Sequence, residues 1–400
     1  MSRKNTPLPG RAAFGPGASA IYGVVTAALF LASSSAPTPV YHLYQELFGL
    51  SPAVLTVIFA AYAFSLLAAL LTIGSLSDYV GRRPVILAAL ILNLLAMAVF
   101  ATANSAGALI LARVIQGFAA GAATTTLGAA ILDFDKTRGP LLNSAAPFLG
   151  MTVGSLLSGV LVTVAPAPTQ IVYILLFAVT MLMLALLYWV PESASGRPGA
   201  LASLRPHVSI PPQTRGLMAR ITPVNVAAWA LGGFYLSLMP SLVRVATGLN
   251  SPIVGAIVVA VLTLTATVTV VVLRDKSGLL LLTSGCWSLI AGVAVTLAGV
   301  YLHMAALMIV GAVFTGIAFG ACFSGALRTV LPLAHPHERA GLLAAFFVQS
   351  YLAFSLPAIA VGLVAPRLGL SVSAYVYGGI VMALATLSLI ATRQRKALPG

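Results

Sequence analysis

The stretch Gly74-Ser75-Leu76-Ser77-Asp78-Tyr79-Val80-Gly81-Arg82-Arg83-Pro84 separates two long apolar runs, near 51-73 and 84-103. Its residues describe a tight junction between two helices. Glycine permits a sharp turn and close helix approach. Asp78 is expected to accept backbone N–H groups at a helix start, where the macrodipole favours a negative charge. Pro84 suits a first helical turn, where its missing donor is no loss. Arg82 and Arg83 alone would only mark one side of a membrane, whereas Asp78 between Gly74 and Gly81 asks for more than a turn.

Working outward, runs of about 20 apolar residues, enough to cross a hydrocarbon core of roughly 30 Å, lie near 18-38, 51-73, 84-103, 107-131, 140-164, 169-190, 222-245, 252-273, 279-300, 303-327, 341-364 and 371-391. The chain of 400 residues is 60% hydrophobic and 7% charged. A soluble domain carries roughly 25% charged residues, so this chain cannot solvate the surface of a soluble globule. It lacks equally the polarity of a disordered chain and the glycine period of collagen. The predicted class is an all-α membrane protein of twelve transmembrane helices. The first run is too long for a signal h-region and has no obvious cleavage site. Cys286 and Cys322 lie in apolar runs without CxxC or histidine partners, which predicts small core residues and neither a disulfide nor a zinc site.

The break at 191-220 is longer than the others and rich in proline, and it divides six spans from six. The expected organisation is a tail at 1-17, a six-helix bundle at 18-190, a linker at 191-220, a second bundle at 221-391 and a tail at 392-400. Of 21 Lys and Arg, 18 fall in segments on one side of the membrane, only Arg244 and Arg367 on the other, and Arg113 inside a span. By the positive-inside rule both termini and the linker are cytoplasmic. The net charge of +14 is thus spread over seven segments as a topology signal that also attracts lipid headgroups, and nucleic acid is not an expected partner. A fainter echo of the first junction, Arg274-Asp275-Lys276-Ser277-Gly278, follows span 8. Arg138-Gly139 before span 5 is echoed by Arg339-Ala340-Gly341 before span 11. Two parallel, pseudo-symmetric halves with a substrate site between them near the midplane are a known transporter plan.

With the junction, the twelve spans and the linker together, the whole chain resembles the major facilitator superfamily, whose signature loop reads G-x-x-x-D-x-x-G-R-R/K. The resemblance implies that Gly74, Asp78, Gly81, Arg82 and Arg83 form a cytoplasmic latch holding the halves together in the outward-facing state. Leu109-x-x-x-Arg113-x-x-Gln116-Gly117 resembles the fourth-helix motif, which implies a part in proton transfer or in orienting the cavity. A charge inside a span costs several kcal/mol unless it is paired or faces water. Gly150-x-x-x-Gly154-Ser155-x-x-Ser158-Gly159 is, as spacing alone, a stripe for close helix packing. It is similar to the fifth-helix motif of the drug:proton antiporters, with Ser155 in place of the family's proline and Ser158 in place of a glycine. The proline's bend is therefore not expected. Pro191-Glu192-Ser193 resembles a short loop motif of the superfamily.

All seven acids lie in loops or at span ends, which disfavours a cationic cargo. Glu46, Asp133 and Asp135 remain as titratable groups for coupling. His42, His207, His303, His335 and His337 are expected to be solvated at or beyond span ends. Phe59, Tyr62, Trp229, Phe234, Tyr235, Phe346, Gln349 and Tyr351, with Gln116, could line a mostly apolar cavity, and Pro37, Pro39, Pro240 and Pro357 could bend spans for gating. No GxxxxGK[ST] occurs, so an ion or substrate gradient must supply the energy. The expected function is a monomeric secondary transporter of the bacterial inner membrane, exporting a neutral or anionic small organic molecule or drug, with protons as coupling ion and no cofactor. The altered span 5 and acid-free spans keep a metabolite importer or facilitator open. A membrane enzyme or receptor is disfavoured because HExxH and GxSxG motifs are absent.

Overall fold

The computed structural model describes residues 13–249, 251–335 and 338–393; Arg3, Lys4, Arg11, His337, Arg395 and Lys396 lie outside these. Sixteen helices follow one another among the described residues: α1 Pro16–Ser35, α2 Pro37–Phe48, α3 Pro52–Ile73, α4 Ser77–Val80, α5 Arg82–Ala101, α6 Ala106–Phe134, α7 Gly139–Val164 and α8 Ile171–Leu186 in the first half. The short α9 Ala200–Ser203 lies in the linker. α10 Pro212–Ser237, α11 Met239–Thr247, α12 Pro252–Val272, α13 Gly278–Tyr301, α14 Ala305–Val330, α15 Arg339–Leu368 and α16 Leu370–Arg393 form the second half. Eleven spans are long and apolar enough to cross a membrane, α1 and α2 counting together as one, and the pair α10–α11, bent by 65°, makes the twelfth.

Helix boundaries differ from the apolar runs in three places. Span 1 continues past 38 to Phe48, interrupted at Ala36. Span 7 begins at Pro212, not near 222, so Arg215 and Arg220 sit on a helix and not in the linker. Asp133 falls inside the last turn of α6. Hydropathy locates the segment that must be dry, while the backbone goes on making helical hydrogen bonds into the headgroup region.

Packing repeats between the halves. α3 packs on α6 as α12 does on α14, α5 on α6 as α13 on α14, α1 on α7 as α10 on α15, and α5 on α8 as α13 on α16. The same relation exchanges the two long contacts between halves, α7 with α12 and α3 with α15. In lipid there is no hydrophobic drive between helices, so close approach at small residues holds them together. A Cβ on Gly117 would strike the Tyr62 carbonyl, and one on Gly121 would come 2.6 Å from the Leu66 carbonyl. In the second half Gly316 meets the Leu262 carbonyl and Gly320 lies 2.7 Å from that of Ala266 by the same measure. This glycine pair, repeated with its partner positions, is a clearer trace of the internal repeat than the junction loop.

Candidate functional site

Span 1 carries Pro37 and Pro39 just beyond Ala36. Proline has no N–H, so the Ser33 carbonyl, four residues before Pro37, loses its helical donor. Gln116 Nε2 supplies one at 2.9 Å. Arg113 Nη1 donates to the next carbonyl, Ser34, at 2.8 Å, and to Gln116 Oε1 at 2.7 Å. Ser158 Oγ from α7 takes the Ala36 carbonyl at 2.6 Å. Three residues singled out in two separate motifs thus do one job: they satisfy the backbone that the proline break leaves open.

Arg113 is 1% and Gln116 0% exposed. The guanidinium also donates to the Tyr41 hydroxyl through Nε at 3.1 Å and through Nη2. It lies 5.3 Å from the Tyr62 ring centre, 5.6 Å from that of Tyr41 and 5.9 Å from that of Phe100. No ion pair among the described residues includes it. The negative end of the α1 macrodipole and the faces of three rings stand where a carboxylate would be expected. Gly117 permits this by letting α6 lie directly on α3. The apolar pattern does not point to Tyr41 or to the buried carbonyls of Ser33 and Ser34; the Pro-Thr-Pro sequence at 37-39 is the signal for them.

The junction from Gly74 to Pro84 forms a second cluster. Gly81 has φ +99°, open to glycine at little cost, and starts α5 at Arg82. The backbone N–H groups of Arg82 and Arg83 are taken by Glu192, at 2.7 and 3.0 Å, and not by Asp78 as expected. A carboxylate from the end of span 6 reaches them, whereas Asp78 lies one turn back in α4. Asp78 pairs with the Arg82 guanidinium, which also bonds Asp133 at 3.2 Å and Ser77 Oγ at 2.8 Å. Asp133 accepts from Ser193 Oγ at 2.9 Å. Arg83 Nη2 reaches the carbonyls of Leu187 and Tyr188 at 3.4 Å, and Gly74 caps α3. These bonds lie within the first half and the start of the linker that follows it, and none reaches the second half. In the second half Asp275 pairs only with its neighbour Arg274, at 3.3 Å, and Arg328 holds the loop by the Leu273 and Lys276 carbonyls. Glu192→Ala should cost about 2 kcal/mol, and Glu192→Gln, which keeps the acceptor but not the charge, about 1 kcal/mol; melting temperatures of the purified variants check the order.

The halves meet along α7. Gly150 and Gly154 press on the backbone of Ala28 and Ala32 in α1, while Gly159 meets Ala256 of α12. Ser155 Oγ donates to the Ala256 carbonyl at 3.2 Å, and Thr152 Oγ1 lies 2.8 Å from Thr263 Oγ1. The small-residue stripe therefore has two faces, Gly150, Gly154 and Ser158 inward and Ser155 and Gly159 across to the other half. Rings fill the middle. Phe59 lies 4.9 Å from Phe354, Phe148 5.5 Å from Phe319, and Trp229 5.1 Å from Tyr351 between centroids. Trp229 Nε1 is buried without an acceptor.

Other side chains proposed from sequence lie elsewhere. Phe234 stacks on Tyr377 at 5.0 Å and the Tyr235 hydroxyl meets Thr296 at 2.9 Å, both inside the second half. Phe346 packs on Phe323 and Phe347. Gln349 donates to Thr222 at 2.8 Å and accepts from Asn225 at 3.3 Å. Asp135 Oδ1 accepts from the backbone of Thr137 and Arg138 ahead of α7. Pro357 sits within the continuous α15. His303 touches the Ala246 carbonyl with its Nδ1.

At the base-poor end two further contacts join the halves. Pro240 deprives the Leu236 carbonyl of its helical donor, and Thr38 Oγ1 supplies one from the other half at 2.8 Å. Glu46 and Arg244 form an ion pair at 2.9 Å. The proline breaks of spans 1 and 7 thus meet each other. At the base-rich end the linker bonds to both halves, Arg197 N to Tyr79 O at 2.8 Å and Ser209 N to Gly341 O at 3.2 Å. Thr38→Val should remove about 1–2 kcal/mol of this closure and raise the reactivity of a cysteine placed at the base-poor seam toward a membrane-impermeant reagent.

Residues 23–281 match the family model of the Major Facilitator Superfamily, well over half of the chain. The chain belongs to the Major Facilitator Superfamily. This superfamily protein is similar to the solved nucleoside transporter NupG, with 12% identity, a TM-score of 0.69, and 93% of this chain and 98% of that one covered. It is similar to the human organic anion transporter MFSD10 (TETRAN), with 17% identity, a TM-score of 0.66 and coverage of 93% and 99%. It also resembles a bacterial homologue of the human lysosomal transporter Spinster in an inward-facing, unoccupied conformation, with 15% identity, a TM-score of 0.71 and coverage of 94% and 97%. No curated protein sequence matches it. At these identities the structures show the fold alone, a bundle of membrane-spanning helices.

Proposed function

We propose that this superfamily member is a monomeric secondary transporter of a bacterial inner membrane, with both termini cytoplasmic, exporting a neutral or anionic small organic molecule in exchange for protons by alternating access. The seam between the halves carries this reading. At its base-poor end it is closed by small residues, two hydroxyl-to-carbonyl bonds, Thr38 to Leu236 and Ser155 to Ala256, and, among the described residues, one ion pair, Glu46–Arg244. Each such polar contact contributes about 1 kcal/mol, so the halves can part there without unfolding. The Asp78–Arg82–Asp133–Glu192 cluster, bonded within the first half and the start of the linker in this state, is the latch for the opposite closure. The rings at mid-height offer an apolar bed, and Trp229 Nε1 an unused donor for a cargo oxygen. No acid lies near them, since Glu46 is at one end of the bundle and Asp78, Asp133 and Glu192 at the other. The organic anion transporter among the similar structures is in keeping with cargo that is not cationic.

The test starts with a thermal-shift screen of drugs, sugars and carboxylates, because a binder stabilises by mass action. Flux of each binder is then followed in proteoliposomes under an imposed pH gradient. Flux driven by the gradient supports antiport. Flux indifferent to it overturns antiport in favour of a facilitator, and absence of flux for every binder overturns transport. The direction is read in a deletion strain: hypersensitivity to toxic compounds supports export, and lost growth on one nutrient supports import.

A further inference from the structure

We propose that His42 is a proton site whose loading opens the base-poor end of the protein. The inference rests on the alternating-access reading, because it assumes that this end opens. α2 and α11 continue spans 1 and 7 beyond their breaks and face each other across the halves. Between them lies a cavity of about 20 Å³ lined by Pro39, His42, Pro240, Arg244, Ser251 and Gly255, room for about one water. His42 Nδ1 lies 2.9 Å from the Pro39 carbonyl. A carbonyl only accepts, so Nδ1 carries the hydrogen and Nε2 is the nitrogen open to a proton.

One turn further along α2, Glu46 holds Arg244 of the other half at 2.9 Å. His42 and Glu46 are four residues apart and therefore neighbours on one helix face. With His42 neutral, Glu46 has a single cationic partner, and that partner ties the halves together. A proton on Nε2 creates a second cation, on the same helix as Glu46, which competes for the carboxylate and repels Arg244. An ion pair between halves is exchanged for one within a half. The Thr38–Leu236 and Ser155–Ala256 hydrogen bonds are the other polar contacts of this closure, and they part once the ion pair no longer holds the halves together.

Few other groups could interfere. Of the elements packed against α2, α1 and α3 contribute one tyrosine each, Tyr22 and Tyr62, and α7 and α12 no titratable side chain. α2 itself adds Tyr41 and Tyr44, and α11 has Arg244 as its sole charge, with His303 touching its end at Ala246. Histidine is the side chain that ordinarily titrates between about pH 5 and 8, the range over which a proton gradient acts. Acid on the base-poor side therefore loosens the closure, and loss of the proton restores it.

The experiment places spin labels at Leu47→Cys on α2 and Val245→Cys on α11, which are 63% and 58% exposed; native Cys286 and Cys322 are buried. Distances are measured on the full chain in lipid nanodiscs at about pH 8 and about pH 5. The short-distance population should give way to a longer one on acidification. His42→Gln should stay short at both pH values, and Glu46→Gln should show the long population at both. An unchanged pH response in His42→Gln, no response in the parent, or a short distance throughout in Glu46→Gln each overturns the proposal. Solute flux measured in parallel separates the two readings. Flux without a pH-dependent distance sinks the proton site and leaves transport, whereas the distance change without flux for any binder sinks transport and leaves the site.

Discussion

Arg113→Leu should lower the apparent melting temperature of the purified protein by about 5–10 °C and abolish solute flux. The leucine removes donors from the Ser34 carbonyl, the Gln116 side-chain oxygen and the Tyr41 hydroxyl at once. Stranding buried polar groups costs about 1–3 kcal/mol each, and breaking a buried charged network about 3–5 kcal/mol in total. Arg113→Lys is the informative companion. It restores the charge at the end of α1 but not the planar fork that reaches a carbonyl, an amide and a hydroxyl together. It should recover less than about half of the lost stability. Full recovery by lysine would mean that the charge and not the fork matters. An unchanged melting temperature in Arg113→Leu would mean that the proline break finds its partners elsewhere.

Gly154→Leu should leave no monodisperse protein on size-exclusion chromatography. Even a Cβ at this position overlaps the Ala32 carbonyl and the Ser35 hydroxyl of α1, and backbone cannot turn aside as a flexible side chain can. α1 would have to move off α7, carrying with it the break that Arg113, Gln116 and Ser158 support. Gly154→Ala should cost about 1–3 kcal/mol as overpacking. Gly107→Ala, where a Cβ meets nothing within 4 Å, should be neutral and serves as control. A well-behaved Gly154→Leu protein would show that the α1–α7 contact is dispensable.

Much of this molecule was legible from its sequence. The twelve spans, the division into halves and the side carrying the bases follow from hydropathy and charge, because a bilayer imposes a length and an orientation on every segment. The glycine stripe of α7 and the exceptional status of Arg113 were legible for the same reason: lipid tolerates neither a bulky helix contact nor an unpartnered charge without an evident cause. Partner choice was not. Asp78 was the expected acceptor at the start of α5, yet Glu192, more than 100 residues away along the chain, holds both N–H groups. Phe234 and Tyr235 carry the same chemistry as Trp229, but only Trp229 sits among the rings where the halves meet. Histidine at a span end reads as a solvated residue until α11 is seen to bring Arg244 and Pro240 against His42.

The sequence by itself marked the segments long and apolar enough to cross a membrane, the end of the bundle that carries the bases and the residues that cannot be indifferent to lipid, since those properties depend on local composition and on the solvent. Only the tertiary structure decided what the residues are for. It showed that Arg113, Gln116 and Ser158 serve a proline break in span 1, that Thr38 completes a carbonyl opened by Pro240, and that Glu192 completes the junction at Gly81. A backbone group orphaned by proline or by a helix end announces its need locally, but the donor or acceptor that meets it comes from whichever helix packs there. That is a property of the fold.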